Sequence, residues 1–239
     1  LSPKHLSLYS LEFMENTRFD LARREGRLRE TEAETDRLMY ESALRLLAEA
    51  GADFVLMPPV EEIYPEPDTR VFDFGQVDKV MEGAHRPGHF NGVAQVVSRL
   101  FAIVQPDKAY FGEKDFQQIA VIRAMVRQLQ IPVQIVPCPI VRGADGLALS
   151  SRNALLTAEH RAAAPQIYAA LKAGVEFSRT ATVVQTERFV TERIDSDPLL
   201  KVEYFQIVDA DTLLPLDQWR EGVATRGCAA VQAGAVRLI

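Results

Sequence analysis

The feature that most restricts the fold of this chain is an alternation of short, largely apolar runs with longer stretches of helical spacing. The apolar runs are Phe54–Met57, Lys108–Phe111 and Val133–Val136, and the helical stretches 93–104 and 115–129 lie between them. Short runs that end at Gly or Pro are typical of buried parallel strands. Because these runs alternate with helices, the sequence predicts an α/β fold, a parallel sheet with helices on its faces.

Both helical stretches carry an apolar stripe with the i, i+3, i+4, i+7 spacing of an amphipathic helix. A third helix is expected over residues 31–50, where Thr31 and Glu34 have the spacing of a capping box and Gly51 follows as a stop. The first two stripes consist of Val93, Val96, Val97, Leu100 and Val104, and of Phe116, Ile119, Ile122 (or Ala120), Val126 and Leu129. These are the faces expected to be buried.

The pattern changes beyond about Leu155. Helices are predicted from Thr157 and over 182–194, and three alternating runs then predict antiparallel strands at 202–208, 228–231 and 235–239. This is the pattern of a small α+β domain. We therefore expect an atypical segment at 1–41, a Rossmann-like domain at 42–153 and a small α+β domain at 154–239.

Composition narrows the class of protein. The 239 residues carry 33 acidic and 27 basic side chains, a net charge of −6, which argues against a nucleic-acid partner. The two cysteines, Cys138 and Cys228, are too few for a disulfide scaffold and fit a reducing cytoplasm. No apolar run approaches the ~18 residues of a membrane helix, and no signal-peptide pattern is present. We therefore expect a cytoplasmic protein without a membrane partner.

The first candidate site follows the strand at 108–111, where Phe111–Gln118 forms a strand-to-helix turn. Gly112 allows close approach of the backbone to a ligand, the helix start offers free N–H groups, and Lys114 adds a positive charge. Gln118 lies one turn further on and could reach a substrate hydroxyl or carboxylate. The turn therefore fits a phosphate site, although a helix capped by Asp115 with Lys114 in solvent would have the same sequence.

The second candidate site is the segment 141–153, which follows the strand at 133–136. Two glycines give a mobile loop, Ser150 and Ser151 can donate to phosphate oxygens, and Arg152 can bind a pyrophosphate through its planar fork. An ordinary surface turn is the alternative. Both candidates lie at the carboxyl ends of neighbouring strands, where open α/β sheets bind nucleotides, so Lys114 and Arg152 are expected to converge on one triphosphate.

A third segment, 81–93, holds His85, Arg86 and His89 among three glycines. Arg86 and His89 could contact substrate, or could order the loop through hydrogen bonds. No His, Cys and carboxylate cluster has metal-ligand spacing, so no protein metal site is expected, and neither a Gly-x-Ser-x-Gly motif nor a Walker loop occurs. Hydrolases and P-loop proteins are therefore disfavoured.

Three long strings identify a family that this chain resembles. The strings EGAHRPGHFNGV at 82–93, QPDKAYFGEKDFQQ at 105–118 and VRGADGLALSSRNA at 141–154 resemble the pantoate–β-alanine ligase family in order and spacing. The similarity extends over about 43–239. It implies a Rossmann-like, nucleotidylyltransferase-type parallel sheet followed by a small α+β domain, in a cytoplasmic homodimer that condenses pantoate with β-alanine using ATP and Mg²⁺.

The resemblance also implies roles for individual residues. Lys114, Ser151 and Arg152 would be catalytic, and Gln118 would hold pantoate. The carboxylate of pantoate would attack the α-phosphate of ATP, and the amine of β-alanine would displace AMP from the acyl-adenylate. The residues expected to bind ATP are Gly112, Glu113, Lys114, Asp115, Val141, Leu149, Ser150, Ser151 and Arg152.

The front of the chain departs from the family. The family's N-terminal strand and its P-T-M-G-x-L-H-x-G-H loop, whose two histidines meet the ATP phosphates, do not occur in the sequence. Residues 1–41 instead resemble an internal stretch of coproporphyrinogen oxidase-like radical SAM proteins, without the cysteines that bind their cluster. We expect the family's fold from about residue 43 onward, with greatly reduced ligase activity.

Other functions remain open from the sequence alone. A non-catalytic nucleotide-binding or dimerisation module would keep Lys114 and Arg152 but lack the histidine loop. A porphyrin-pathway protein is disfavoured because the cluster cysteines are absent. An RNA-binding synthetase relative is disfavoured by the acidic balance of the chain.

Overall fold

The computed structural model describes residues 41–42, 45–49, 51, 53–56 and 58–239, and the chain divides into two units, Leu1–Glu62 and Ile63–Ile239. In the first unit, residues 41–42 and 45–49 are helical, as expected for part of the helix predicted over 31–50. Thr31 and Glu34 lie outside the described residues. Helix α1 then covers Val60–Ile63.

The prediction of a strand at Phe54–Met57 is wrong for residues 54–56, the part that the structure describes. Residues 54–56 are in neither a helix nor a strand, and Phe54 is 88 % exposed; Met57 lies outside the described residues. A strand is stable only when a neighbour accepts its backbone hydrogen bonds. No described strand pairs with residues 54–56, so their apolar sequence alone does not produce one.

The second unit contains the predicted α/β arrangement. Strands β1 (Lys108–Gly112) and β2 (Gln134–Cys138) pair in parallel, from Lys108 opposite Gln134 to Gly112 opposite Cys138. Helices α2 (Met81–His85), α3 (His89–Val104) and α4 (Phe116–Gln128) belong to this part. Their shared core consists of Phe72, Phe74, Phe90, Ala94, Val97, Phe101, Val121, Ile122, Met125 and Val133.

The buried faces of α3 and α4 differ from the expected stripes. In α3, Val97 is buried as predicted but Val93 and Leu100 are only half-buried, because Phe72 and Phe74 extend the core toward Phe90 and Ala94. In α4, Leu129 follows the last helical residue and is 39 % exposed. The buried residues of α4 are Gln117, Ile119, Val121, Ile122 and Met125.

The C-terminal part confirms the antiparallel prediction. Helices α5 (Ala158–Ala163), α6 (Pro165–Phe177) and α7 (Val183–Asp195) precede strands β3 (Leu200–Asp209), β4 (Thr225–Ala233) and β5 (Val236–Leu238), which form an antiparallel sheet in that order. Thr157 caps α5, and Thr182 with Gln185 forms a capping box on α7. The domain boundary near Asn153 stays a prediction.

Among the residues that the structure describes, no helix is both long and apolar enough to span a bilayer.

Candidate active site

A cavity of about 510 Å³ lies in the second unit, beyond the carboxyl ends of β1 and β2. Four parts of the chain meet around it: helix α2 with the start of α3, the segments that follow the two parallel strands, helix α6, and the antiparallel sheet. Its polar lining residues include Glu82, Arg86, His89, Glu113, Lys114, Asp115, Gln117, Gln118, Arg142, Ser150, Arg152, Tyr168, Tyr204 and Arg226. The cavity therefore lies where open α/β sheets bind ligands.

The turn after β1 presents Lys114 to this cavity. Residues Glu113–Asp115 form a single 3₁₀ turn that leads directly into α4, and the side chain of Lys114 is 23 % exposed. Its Nζ lies 3.3 Å from Oδ1 of Asp115, whose own side chain is 54 % exposed. An exposed ion pair is weak, so the ammonium group of Lys114 can exchange this carboxylate for a phosphate.

The segment after β2 is a hairpin that delivers Ser150 and Arg152. Leu149 donates its N–H to the carbonyl of Val141 at 2.9 Å, and Gly143 donates to the carbonyl of Leu147 at 2.8 Å. Oγ of Ser150 accepts the N–H of Arg152 at 3.3 Å and so caps the 3₁₀ turn Ser151–Leu155. The hydroxyl proton of Ser150 stays available to a ligand.

The expected site residues divide into two groups. Glu113, Lys114, Asp115, Gln118, Ser150 and Arg152 line the cavity. The other expected residues, Gly112, Val141, Leu149 and Ser151, are not among the side chains around it. The side chains of Val141 and Leu149 are 67 % and 58 % exposed, although a backbone hydrogen bond from Leu149 to Val141 holds both residues in the hairpin stem.

The segment 81–93 faces the cavity, and hydrogen bonds with Gln117 and within the segment hold it in place. The buried side chain of Gln117 accepts the N–H of Glu82 at 3.0 Å and donates to the carbonyls of Val77 and Val80 at 2.6 and 2.8 Å. Nη1 of Arg86 lies 3.1 Å from Nε2 of His89. Sequence reasoning gave Gln118 a role but missed its neighbour Gln117, which anchors the segment.

A second feature that sequence reasoning missed is the Arg237 network, formed by Glu82, Glu203, Tyr204 and Arg237. Arg237 donates two hydrogen bonds to Glu82, at 2.8 and 2.6 Å, and its Nε donates to Glu203 at 2.6 Å. The hydroxyl of Tyr204 donates to Oε1 of Glu82 at 2.8 Å. Because Glu82 and Arg237 are 155 residues apart in sequence, no local pattern marks this network.

Burial and these hydrogen bonds shift the titration of the network. Burial acts to raise the pKa of Glu82, but the hydrogen bonds from Arg237 and Tyr204 outweigh it and hold the pKa below its usual range. The pKa of Glu203 is lowered by the hydrogen bond from Arg237. Burial and the bond to Glu82 raise the pKa of Tyr204. Both carboxylates are therefore ionised at neutral pH.

The cavity is electropositive. Five basic side chains line it, against the three carboxylates of Glu82, Glu113 and Asp115; the basic ones are Arg86, Lys114, Arg142, Arg152 and Arg226. Burial and the neighbouring guanidinium of Arg86 lower the pKa of His89, which keeps this imidazole neutral. Within the described residues, no group of three or more His, Cys, Asp or Glu is arranged to hold a metal ion. The arrangement suits a polyanionic ligand.

The parallel strands and the cavity at their carboxyl ends are those of a nucleotidylyltransferase-type α/β protein, and the basic side chains of the cavity suit a phosphorylated ligand. The sequence model of the family described as pantoate-beta-alanine ligase matches residues 36–239. The chain belongs to the pantoate–β-alanine ligase family, whose members are ATP-dependent ligases that join pantoate to β-alanine.

Individual relatives agree with this assignment. The chain is 58 % identical over 199 residues to the pantothenate synthetase of Porphyromonas gingivalis, a match that covers 83 % of this chain and 71 % of that protein. It is 55 % identical over 195 residues to the pantothenate synthetase of Bacteroides fragilis, with 82 % and 69 % covered. These identities lie far above what fold similarity alone would give.

Solved structures agree as well. The crystal structure of pantothenate synthetase from Thermus thermophilus matches with a TM-score of 0.78 and 43 % identity, over 95 % of this chain and 77 % of that one. A ligase from Francisella tularensis, complexed with β,γ-ATP and β-alanine, matches with a TM-score of 0.65 and 30 % identity, over 83 % and 67 %. The predicted family and fold class are thus confirmed.

Proposed function

We propose that this chain makes pantothenate through a pantoyl-adenylate formed in the cavity. The carboxylate of pantoate attacks the α-phosphate of ATP, and pyrophosphate leaves. The amine of β-alanine then attacks the acyl carbon, and AMP leaves. The observation that carries the proposal is that Lys114, Gln118 and Arg152, from the two predicted sites, line one cavity.

Lys114 and Arg152 carry the charge chemistry of the adenylation step. Negative charge shifts onto pyrophosphate as the bond to the α-phosphate breaks, and fixed cations in a partly dry site stabilise that charge strongly. The flat fork of Arg152 can hold two phosphate oxygens, whereas Lys114 supplies a point charge. Together they lower the barrier mainly by positioning and neutralisation.

The remaining residues bind the substrates. Gln118 lies on the first turn of α4 beside the 3₁₀ turn and offers an amide to the pantoate hydroxyls or carboxylate. Glu113, Asp115 and Ser150 border the ATP site, and Ser151 belongs to the turn that carries Arg152. Gly112, Val141 and Leu149 do not line the cavity; by the family resemblance, Val141 would contact the adenine region of ATP through its backbone.

Mg²⁺ fits this site only as a companion of ATP. The ion prefers a few carboxylate or phosphate oxygens plus water over an all-protein cage. The carboxylates nearest to Lys114 are those of Glu113 and Asp115, and that of Glu113 lies 3.5 Å from the guanidinium of Arg226. When bound, Mg²⁺ would neutralise phosphate charge, with Asp115 as the exposed carboxylate able to contact it or its water.

The ligands of the Francisella tularensis relative support the substrate assignment. That ligase was solved with β,γ-ATP and β-alanine, and it shares the fold of this chain. A cavity with five basic side chains suits the triphosphate of ATP and the carboxylate of β-alanine. By the same resemblance we propose a homodimer located in the cytoplasm.

We also propose that these 239 residues catalyse the reaction slowly. The family's two-histidine loop, which meets the ATP phosphates, does not occur in the sequence. Among the residues the resemblance assigns, the phosphate contacts then depend on the charges of Lys114 and Arg152 and on the hydroxyls of Ser150 and Ser151. Each missing charged or polar contact to a developing charge costs roughly a hundredfold or more in rate.

The test is an assay of the 239-residue chain with ATP, Mg²⁺, pantoate and β-alanine, in which AMP and pyrophosphate are measured against the Thermus thermophilus relative. We expect AMP release that needs both pantoate and β-alanine, at a rate well below that of the relative. Turnover equal to the relative's would contradict the slow-catalysis proposal. ATP-dependent thermal stabilisation without any AMP would favour a nucleotide-binding module over a ligase.

A further inference from the structure

The Arg237 network lies beside the cavity, and none of the roles proposed above uses it. The side chain of Arg237 is 21 % exposed and that of Glu82 is 10 % exposed. Withdrawing such charges from water is costly unless every member is paired. Here both carboxylates share one guanidinium, so the network holds its members in a single arrangement.

Arg237 contacts the Arg152 side of the cavity through its backbone. Its carbonyl oxygen accepts a hydrogen bond from Nη1 of Arg152 at 3.4 Å, across 85 residues of sequence. Arg237 is in the short strand β5, whose neighbours Val236 and Leu238 are buried. The guanidinium of Arg152, which is proposed to bind phosphate, is thus hydrogen-bonded to a strand residue that lies between two buried residues.

Arg237 and Arg86 both approach the carboxylate of Glu82. Nη1 of Arg86 stands 4.0 Å from Oε2 of Glu82, the oxygen that accepts Nη1 of Arg237 at 2.8 Å. Arg86 instead has its short contact with His89, at 3.1 Å, and both side chains line the cavity. Because Arg237 occupies the Glu82 carboxylate, Arg86 keeps its contact with His89 and does not pair closely with Glu82.

We propose that Arg237 is a positioning residue for the ligase reaction, a role that rests on the function proposed above. Its guanidinium occupies the carboxylate of Glu82 and so leaves Arg86 in contact with His89 in the lining of the cavity. Its carbonyl oxygen orients Arg152. Burial lowers the pKa of the Arg86 guanidinium, and the charge of Arg152 is near enough to add to this shift. Arg237 thereby holds two neighbouring guanidinium groups of the cavity in place for the phosphates of ATP.

The test compares Arg237→Met, Arg237→Lys and the double variant Glu82→Gln/Arg237→Met. In Arg237→Met, the freed Glu82 carboxylate draws Arg86 toward itself and away from His89, and we expect the KM and the Kd for ATP to rise roughly ten- to a hundredfold. Lysine keeps the charge but cannot bind both carboxylates, so it should restore little. The double variant leaves no free carboxylate at position 82 and should recover at least half of the loss on a logarithmic scale.

The matched control is Arg188→Met, which removes an exposed arginine 3.8 Å from Glu192. Its KM and Kd for ATP should equal those of the wild type. The positioning role is overturned if Arg237→Met keeps the wild-type KM and Kd, or if it merely lowers kcat in proportion to the folded fraction. It is also overturned if the double variant binds ATP no better than Arg237→Met.

These outcomes are separable from a failure of the proposed function. If the wild-type chain binds ATP but forms no AMP, the ligase proposal fails, and the ratio of ATP dissociation constants still decides the positioning role. If the wild-type chain does not bind ATP at all, both are overturned.

Discussion

The guanidinium carbon of Arg142 lies 3.8 Å from the ring centroid of Tyr168, so the hairpin after β2 is seated on helix α6 by a cation–π contact. Nη1 of Arg142 also donates to the carbonyl of Gly146 at 3.2 Å. Gly146 itself has φ +88°, and a Cβ built on it would stand 2.7 Å from Cδ1 of Tyr168. The hairpin that presents Ser150 and Arg152 is therefore fitted closely to one aromatic ring.

Gly146→Ala should destabilise the protein more than an ordinary glycine replacement. A positive φ alone costs an alanine about 1–2 kcal/mol, and the clash with Tyr168 adds about 1–3 kcal/mol. Gly222→Ala is the matched control, because Gly222 has φ +76° with nothing within 4 Å of its Cβ position. Urea unfolding measures the stability of both variants. Equal losses of stability would show that the Tyr168 ring moves aside without cost.

Lys114→Ala should lower AMP formation roughly a hundredfold or more, because it removes a fixed cation from the adenylation site. Its unfolding free energy should stay within ~0.5 kcal/mol of the wild type, since the lost partner is an exposed carboxylate. The control is Lys108→Ala, an exposed lysine at the start of β1. A marked fall in stability, as followed by urea unfolding, would instead make Lys114 a structural residue.

His89 should titrate below the ordinary histidine range. Burial first, and then the charge of Arg86, disfavour its protonated form; Glu82 and Asp115 oppose them, while Arg152 adds to the shift. Because the folded state binds the proton less readily than the unfolded state, this group contributes stability above pH ~6.5 that is lost as the pH falls. NMR titration of the imidazole signal that His89→Gln removes measures the pKa, and a value at or above ~6.5 contradicts the expectation.

Asp68→Asn should destabilise the second unit. Oδ2 of Asp68 accepts Nη2 of Arg70 at 2.5 Å and Nε of Arg99 at 2.8 Å, and the Asp68 side chain is only 3 % exposed. The hydrogen bond from Arg70 outweighs burial and, with Arg99, holds the pKa of Asp68 well below its usual range. The loss at pH 7 should be about 1.5–3 kcal/mol, the typical contribution of hydrogen bonds between charged groups.

The difference between wild type and Asp68→Asn should also depend on pH. A carboxylate with a lowered pKa contributes stability that is present above about pH 4 and is lost as the pH falls further, so the two unfolding curves should approach each other in acid. Asp217→Asn is the control, because its partner Arg220 lies 3.6 Å away at an exposed position. A gap between Asp68→Asn and wild type that stays constant down to pH 3 would speak against the assignment.

Several elements of the fold follow from local sequence. The runs around Tyr110 and Ile135 became parallel strands, and the alternating residues of β3 and β4 became an antiparallel pair. Thr157 and Thr182 start helices where their capping positions predict. Each of these signals depends on residues a few positions apart, so it can be recognised from the sequence alone. The run Phe54–Leu56 shows the limit, because a strand needs a partner that no local pattern supplies.

The sequence by itself determined the family, the parallel strands β1 and β2, the antiparallel strands β3 to β5, and the segments that hold Lys114 and Arg152. Only the tertiary structure decided which side chains surround the cavity: it added Gln117, placed the Arg237 network beside it, and turned Val141 and Leu149 outward. The reason is physical. Backbone propensity and apolar spacing act between near neighbours, whereas a partly buried ion pair such as Glu82–Arg237 forms between residues that only the packed chain brings together.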